Sequence, residues 1–145
     1  MKSACSLALA LLCPASAWAL DFHSTGRPAI LYDAPSTAAG KVAVAGPGLP
    51  LEIIVDAADW AKVRDVTGRL AWIEKAALGE ARTVMIQADS APVRREPRAD
   101  APLVFTAARG VLLERDAATG PRGWLAVRHA SGRNGWLRRD EVWGE

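Results

Sequence analysis

The chain has 145 residues and a formal net charge of +2; half of its residues are apolar and 23% are charged. This composition is typical of a globular protein and excludes a disordered chain. The near balance of positive and negative side chains argues against a dedicated nucleic-acid-binding protein, so the sequence predicts no nucleic-acid partner.

Residues 1–19 have the pattern of an export signal. Lys2 supplies the positive n-region, an apolar run spans residues 4–12, and Ala17 and Ala19 fit a small-x-small cleavage site. The apolar run is too short to span a bilayer, which takes ~20 residues. The sequence therefore predicts cleavage after Ala19 and a soluble product that is periplasmic or secreted. The alternative is a buried N-terminal helix.

Both cysteines, Cys5 and Cys13, lie in this leader. Without them the mature chain has no thiol, which excludes cysteine nucleophiles, thiolate zinc sites and iron–sulfur clusters. No later segment has the length and apolarity of a transmembrane helix, so no transmembrane segment is expected after signal removal. Residues 20–26 are predicted to form an N-terminal extension.

The rest of the chain is an internal repeat. Residues 60–73 (WAKVRDVTGRLAWI) match residues 124–137 (WLAVRHASGRNGWL) at six of 14 positions. The separation of matching positions grows along the chain, which places a two-residue insertion in the stretch 116–122. We therefore expect two copies of one unit, at residues 27–80 and 81–145.

Each copy is predicted to consist of short strands separated by tight turns. The clearest strand segments are 49–55, 60–64 and 69–73 in the first copy and 111–115, 124–128 and 133–137 in the second. Residues 74–77 and 138–141 are each predicted to form a single 3₁₀ turn. Five short strands in such a unit indicate a small β-barrel. The short stretch between the copies indicates that the two barrels hold a fixed relative orientation.

The register of the hairpin in each copy decides which face the second tryptophan occupies. In the first copy, a three-residue turn at 66–68 places Trp72 opposite Lys62 on the outer face. A two-residue turn would place it opposite Val63, in the core, because a slip of one residue exchanges the faces of a strand. We favour the three-residue turn, which leaves Ile73 in the core.

This pattern resembles the bacterial Src-homology-3-like (SH3b) family. That family has a W-x-x-V-R strand, a small turn and a Gly-Trp-aliphatic strand. The second copy carries these motifs at residues 124–128 and 135–137. The first copy departs from them, since Asp33 stands where the second copy has Arg95, and Ala71 replaces the glycine.

The resemblance covers residues 27–143 and implies an all-β fold of two tandem SH3-like β-barrels. Within the family, the chain resembles small exported tandem proteins of proteobacteria. This resemblance implies a ligand in the cell envelope: peptidoglycan, its stem peptides or an envelope protein. Tyr32 and Trp60 are also similar to the proline-peptide groove of eukaryotic SH3 domains. The second copy lacks the tyrosine, which disfavours that alternative.

The predicted ligand-binding residues are aromatic and basic side chains. Exposed aromatic rings are suited to stacking on sugars or packing on peptides, and arginines are suited to carboxylates. The predicted set is Tyr32, Trp60, Arg64, Trp72, Trp124, Arg128 and Trp136. The alternative is that the tryptophans cover the barrel ends or the seam between the copies.

The sequence contains no catalytic motif that we recognise. His23 and His129 are the only histidines, too few for a three-histidine metal site, and the serines lack a G-x-S-x-G elbow. We expect no catalytic residue, no metal and no cofactor; a hydrolase would need a clustered histidine and carboxylate in a pocket. The sequence therefore predicts a non-catalytic exported binding module for a cell-wall polymer or envelope protein. The alternative is a scaffold or regulatory subunit of a periplasmic enzyme or complex.

Overall fold

The computed structural model describes residues 20–145, which form fourteen β-strands in two sheets of seven. The predicted signal peptide and its cleavage site after Ala19 lie outside the described residues. We call residues 20–80 the first half and residues 81–145 the second half. Among residues 20–145 we find no helix with the length and apolarity that crossing a membrane demands.

The two halves have the same succession of strands. The first sheet contains β1 (Phe22–Thr25), β2 (Ala29–Tyr32), β3 (Lys41–Ala45), β4 (Pro50–Ala57), β5 (Trp60–Arg64), β6 (Leu70–Glu74) and β7 (Leu78–Gly79). The second contains β8 (Thr83–Ile86), β9 (Ser90–Arg94), β10 (Leu103–Ala108), β11 (Leu112–Arg115), β12 (Trp124–Arg128), β13 (Asn134–Arg138) and β14 (Val142–Trp143). The predicted 3₁₀ turns are present at Lys75–Ala77 and Arg139–Glu141.

The strand order confirms the internal repeat. The first sheet runs β3-β2-β6-β5-β4-β1-β7, and the second runs β10-β9-β13-β12-β11-β8-β14, which is the same order seven strands later. All pairings are antiparallel. The all-β fold and the tandem arrangement predicted from the sequence are therefore confirmed.

Each sheet buries one face of its strands in a core of its own. The first core gathers Leu31, Leu51, Val63 and Ile73 with five buried alanines from the same half. The second gathers Val84, Val93, Leu113, Val127 and Leu137 with their neighbours. Because successive side chains of a strand alternate between faces, the residues between these positions form the outer faces of the sheets.

The predicted hairpin register is confirmed. Lys62 pairs with Trp72 across β5 and β6, and the Asp65 N–H donates to the Arg69 carbonyl at 3.0 Å, leaving three residues in the turn. Gly68 closes the turn with a φ of +86°, a conformation that favours glycine. Ile73 is fully buried, so Trp72 is on the outer face as predicted.

The predicted N-terminal extension differs from the structure. Residues 22–25 form β1, which pairs with both β4 and β7, and Phe22 is only 2% exposed. The polar residue Thr25 can enter the sheet because its hydroxyl donates to the Gly46 carbonyl at 2.6 Å and accepts the Leu49 N–H at 2.8 Å. The first half therefore begins before residue 27.

The two halves are in direct contact along a seam. The Trp143 ring meets the Phe22 ring edge to face, with centroids 5.1 Å apart, and its indole N–H donates to the Pro50 carbonyl at 3.3 Å. The hydroxyls of Ser24 and Thr83 lie 2.8 Å apart across the same seam. These contacts form an interface between the copies, while the fixed orientation of the halves stays a prediction.

Candidate ligand-binding groove

The outer face of the first sheet brings together three of the predicted ligand-binding aromatics. Tyr32 lies opposite Trp72 across β2 and β6. The Tyr32 and Trp60 rings meet edge to face, with centroids 5.5 Å apart. Both tryptophans are half-buried, but Tyr32 is only 5% exposed. The tyrosine therefore acts mainly as a packing partner of the tryptophans.

Trp124 is covered, unlike the exposed aromatic that the sequence predicts. It is 9% exposed, and the Arg138 guanidinium lies 5.8 Å from its ring centroid. The cross-strand pairing of Trp124 with Arg138 brings the cation to this ring. Trp136, two residues before Arg138 on the same strand, is half-buried and keeps part of its ring accessible.

Arg64 has a structural partner. Its Nε donates to Glu52 Oε2 at 2.7 Å, and the Glu52 side chain is only 6% exposed. A buried carboxylate needs such a countercharge, because ionised groups are costly to remove from water. The Arg64 guanidinium also lies 6.0 Å from the Trp143 ring centroid. Arg64 thus serves as the countercharge of Glu52 and packs at the seam, while its role toward a ligand stays a prediction.

Arg128 has a different partner from its counterpart Arg64. Its Nη2 lies 3.3 Å from Asp116 Oδ2, and the Ala118 N–H donates to Asp116 Oδ1 at 3.0 Å. This backbone hydrogen bond and the Arg128 charge lower the pKa of Asp116 below its ordinary value. Asp116 therefore carries its negative charge throughout the neutral and mildly acidic range.

A groove of about 520 Å³ lies beside Trp136 on the outer face of the second half. Its polar groups are the Arg95 guanidinium, the Asp116 carboxylate and the Asn134 amide. Its apolar lining comes from Trp136 and from small or aliphatic residues of β10, β12, β13 and the loop after β11: Val104, Ala118, Ala126, Val127 and Gly135. The groove thus offers one positive charge, one negative charge, an amide and an aromatic ring.

The predicted two-residue insertion builds one wall of this groove. In the first half, β4 runs to Ala57 and returns at Trp60, so the turn between β4 and β5 is short. In the second half, β11 ends at Arg115, and the chain loops through residues 116–123 before β12. Gly120 packs so closely on the Trp136 ring that a side chain there would collide with it. The loop therefore needs glycine to lie across the tryptophan.

The sequence-predicted site is partly assembled. Of the predicted residues, Trp136 lines the groove, and Arg128 forms an ion pair with Asp116, which also lines it. Arg95, Asp116 and Asn134 were outside the predicted set. The signal that could have found them is the insertion, because a longer loop beside an exposed aromatic creates a concave surface that the shorter turn lacks.

The described residues offer no constellation for metal binding. Among residues 20–145 no group of three or more histidine, cysteine or acidic side chains is placed to hold an ion. His23 Nε2 lies 3.4 Å from Asp21 in the first half, whereas His129 Nδ1 lies 2.8 Å from the Ser131 hydroxyl in the second. The two histidines therefore belong to different surfaces.

A comparison with protein families agrees with the repeat. The bacterial SH3 domain family matches residues 25–80 and again residues 87–144. Seven chains of solved structures match; they include NlpC2 and NlpC1 from Trichomonas vaginalis, at 14% and 16% identity and a TM-score of 0.40 each. These two matches cover 90% and 95% of this chain but 50% and 51% of theirs, so the chain spans about half their length. No curated protein matches the sequence.

Proposed function

Because the chain belongs to the bacterial SH3 domain family, which matches both of its halves, we propose that it is an exported binding module for a component of the cell envelope. The proposed ligand is peptidoglycan, recognised through its stem peptides, and the proposed compartment is the periplasm or the exterior. The observation that carries the proposal is the groove beside Trp136, with Arg95 and Asp116 at its walls.

The chemistry of the groove suits a short peptide that carries both signs of charge. Arg95 can bind a carboxylate, and the Asp116 carboxylate can bind an ammonium group. Asn134 can pair with a peptide amide, since its side chain both donates and accepts hydrogen bonds. The Trp136 ring can pack against methyl groups or the face of a sugar. The volume of about 520 Å³ falls in the range of small-ligand sites.

We propose that this module has no catalysis of its own. Hydrolysis of a glycosidic bond uses two carboxyl groups that flank the bond, and the groove is lined by one, Asp116. Serine-type hydrolysis needs a serine, a histidine and an acid in contact. His129 contacts Ser131 in a turn, but the bonded histidine nitrogen is the same one that accepts the Ser131 N–H. These features support binding rather than bond cleavage.

The direct test is co-sedimentation of residues 20–145 with purified peptidoglycan sacculi. We expect saturable binding at physiological salt. Arg95→Glu should reduce the affinity about tenfold or more, because it puts a second negative charge at the groove. Arg95 is exposed and its side chain makes no hydrogen bond or ion pair within residues 20–145, so the variant should remain folded.

Arg69→Glu is the matched control. Arg69 is also exposed, and it directly follows the hairpin turn of the first half, away from the groove. The same change of charge there should leave sacculus binding unaltered. Equal losses in both variants would indicate a nonspecific charge effect. No binding by the unaltered protein would overturn the proposal and favour the alternative, a scaffold or regulatory subunit of a periplasmic enzyme or complex.

A further inference from the structure

The outer face of the first half carries an exposed apolar patch that the proposed function does not use. Val44 of β3 is 76% exposed, more than any other large hydrophobic residue among 20–145. It pairs with Ile30 of β2, and both line a cleft of about 210 Å³ together with Pro28. Exposed aliphatic side chains grouped around a cleft are typical of interaction surfaces.

The second half shows that the fold does not require these apolar residues. The pair that corresponds to Ile30 and Val44 is Pro92 and Thr106. Thr106 is exposed, and a hydroxyl in contact with water there costs the sheet nothing. The valine in the first half is therefore a feature of this surface rather than of the framework.

Two charged residues of opposite sign flank the patch. Arg27 and Glu74 line the same cleft and are both exposed. Neither forms an ion pair within residues 20–145. Their counterparts in the second half, Asp89 and Arg138, are each in an ion pair, with Arg109 and Asp140. Only the first half leaves both charges available.

We propose that this patch binds the same patch of a second copy of the chain. In a twofold symmetric dimer every contact occurs twice: when one residue of the first copy touches another residue of the second copy, the same two residues also touch with the copies exchanged. A twofold axis through the cleft then places Arg27 of each copy beside Glu74 of the other, with Val44 and Ile30 packed between them. The apolar side chains of the two copies then pack on each other, and each rim charge pairs with the opposite charge of the other copy.

The dimer should be weak and reversible. The cleft and its rim are small compared with the ~1,600 Å² of a standard stable interface. Such a contact would raise the number of grooves per assembly from one to two, since the groove beside Trp136 lies in the other half. Two grooves on one assembly would strengthen attachment to a repeating polymer by effective concentration. The dimerisation itself does not depend on what the groove binds.

Analytical ultracentrifugation over a wide concentration range tests the proposal. We expect a monomer–dimer equilibrium for residues 20–145. Val44→Thr, which installs the residue found at the corresponding position 106, should weaken dimerisation about tenfold or more. Arg27→Glu and Glu74→Arg should each weaken it as well. The double variant Arg27→Glu/Glu74→Arg should restore it, because the two charges exchange places.

Leu70→Thr is the matched control, since Leu70 is 52% exposed at the far end of β6 and outside the cleft. It should leave the equilibrium unchanged. A protein that stays monomeric up to about 1 mM would overturn the proposal. So would a dimer that Val44→Thr leaves intact, or one that the double charge exchange fails to restore.

Discussion

The two halves have one strand order but differ in what surrounds the same tryptophan. In the first half, Trp72 lies between Tyr32 on one neighbouring strand and Lys62 on the other. In the second half, Trp136 lies between Arg94 and Ala126. The Arg94 guanidinium is turned aside, because its Nη1 donates to the Ala101 carbonyl at 2.9 Å. The space beside Trp136 is therefore open, whereas Tyr32 and Lys62 occupy the corresponding space beside Trp72.

This difference shows how a duplicated framework can divide its tasks. The second half has the longer loop, the small residue at position 126 and the groove. The first half has the packed aromatic cluster and the ion pair of the buried Glu52 with the partly exposed Arg64. We interpret the second half as the ligand-binding copy and the first half as the copy that stabilises the assembly.

The largest expected effect concerns the two corresponding arginines. Arg64→Ala leaves the Glu52 carboxylate buried without its countercharge, so we expect a loss of about 3 kcal/mol in the free energy of unfolding. Arg128→Ala breaks a pair that is partly exposed on both sides, so we expect less than about 1 kcal/mol. Urea denaturation followed by tryptophan fluorescence measures both. Equal losses would contradict the assignment of different roles to the two arginines.

The seam gives the next prediction. Trp143→Ala removes the ring contact with Phe22 and the hydrogen bond to Pro50. We expect a loss of about 2 kcal/mol, which is less than for a fully buried large aromatic because Trp143 keeps some exposure. In scanning calorimetry we expect one transition for the unaltered protein and two separate transitions for the variant. One unchanged transition would show that the seam does not couple the halves.

A smaller, pH-dependent effect distinguishes Glu141 from its counterpart in the first half, the buried Ala77. Burial raises the pKa of Glu141, and its Oε2 has no hydrogen-bond partner within the described chain. A carboxyl whose pKa is raised on folding supports the fold while it is protonated, and that support is lost as the pH rises through its pKa. Above that raised pKa the ionised Glu141 carboxylate therefore lowers the free energy of unfolding.

We expect Glu141→Gln to raise the Tm at pH 7. The gain should shrink as the pH falls below the ordinary range of glutamate, where Glu141 is neutral in both the folded and the unfolded chain. Thermal melts at a series of pH values measure this. Asp140→Asn is the control, because Asp140 is exposed and next in sequence. A gain for Glu141→Gln that is independent of pH would contradict the burial account.

Much of the fold could be predicted from the sequence. The six identities between the copies identified the repeat, and the glycine that ends each hairpin turn indicated the register that places Trp72 and Trp136 on the outer face. The change in spacing between the copies placed the insertion at residues 116–122, within the loop that joins β11 to β12. These features are local, so they leave a pattern in the chain.

The remaining features depend on contacts between distant residues. Trp143 was not predicted at the seam, because the first copy has Gly79 in its place and the repeat therefore gives no hint of a partner. Trp124 meets Arg138 across a strand pair, and Arg64 pairs with Glu52 of another strand. The groove itself depends on the conformation of a loop. The sequence indicated where this loop lies but not the path of its backbone.

The central claim is that the groove beside Trp136 binds the ligand, and Ala126→Lys tests it most directly. This substitution gives the second half the residue that the first half carries at position 62, where the fold accommodates it opposite Trp72. The lysine should fill the groove and reduce the affinity for peptidoglycan sacculi about tenfold or more, with the circular dichroism spectrum unchanged. Undiminished binding by the folded variant would contradict the account and place the ligand elsewhere.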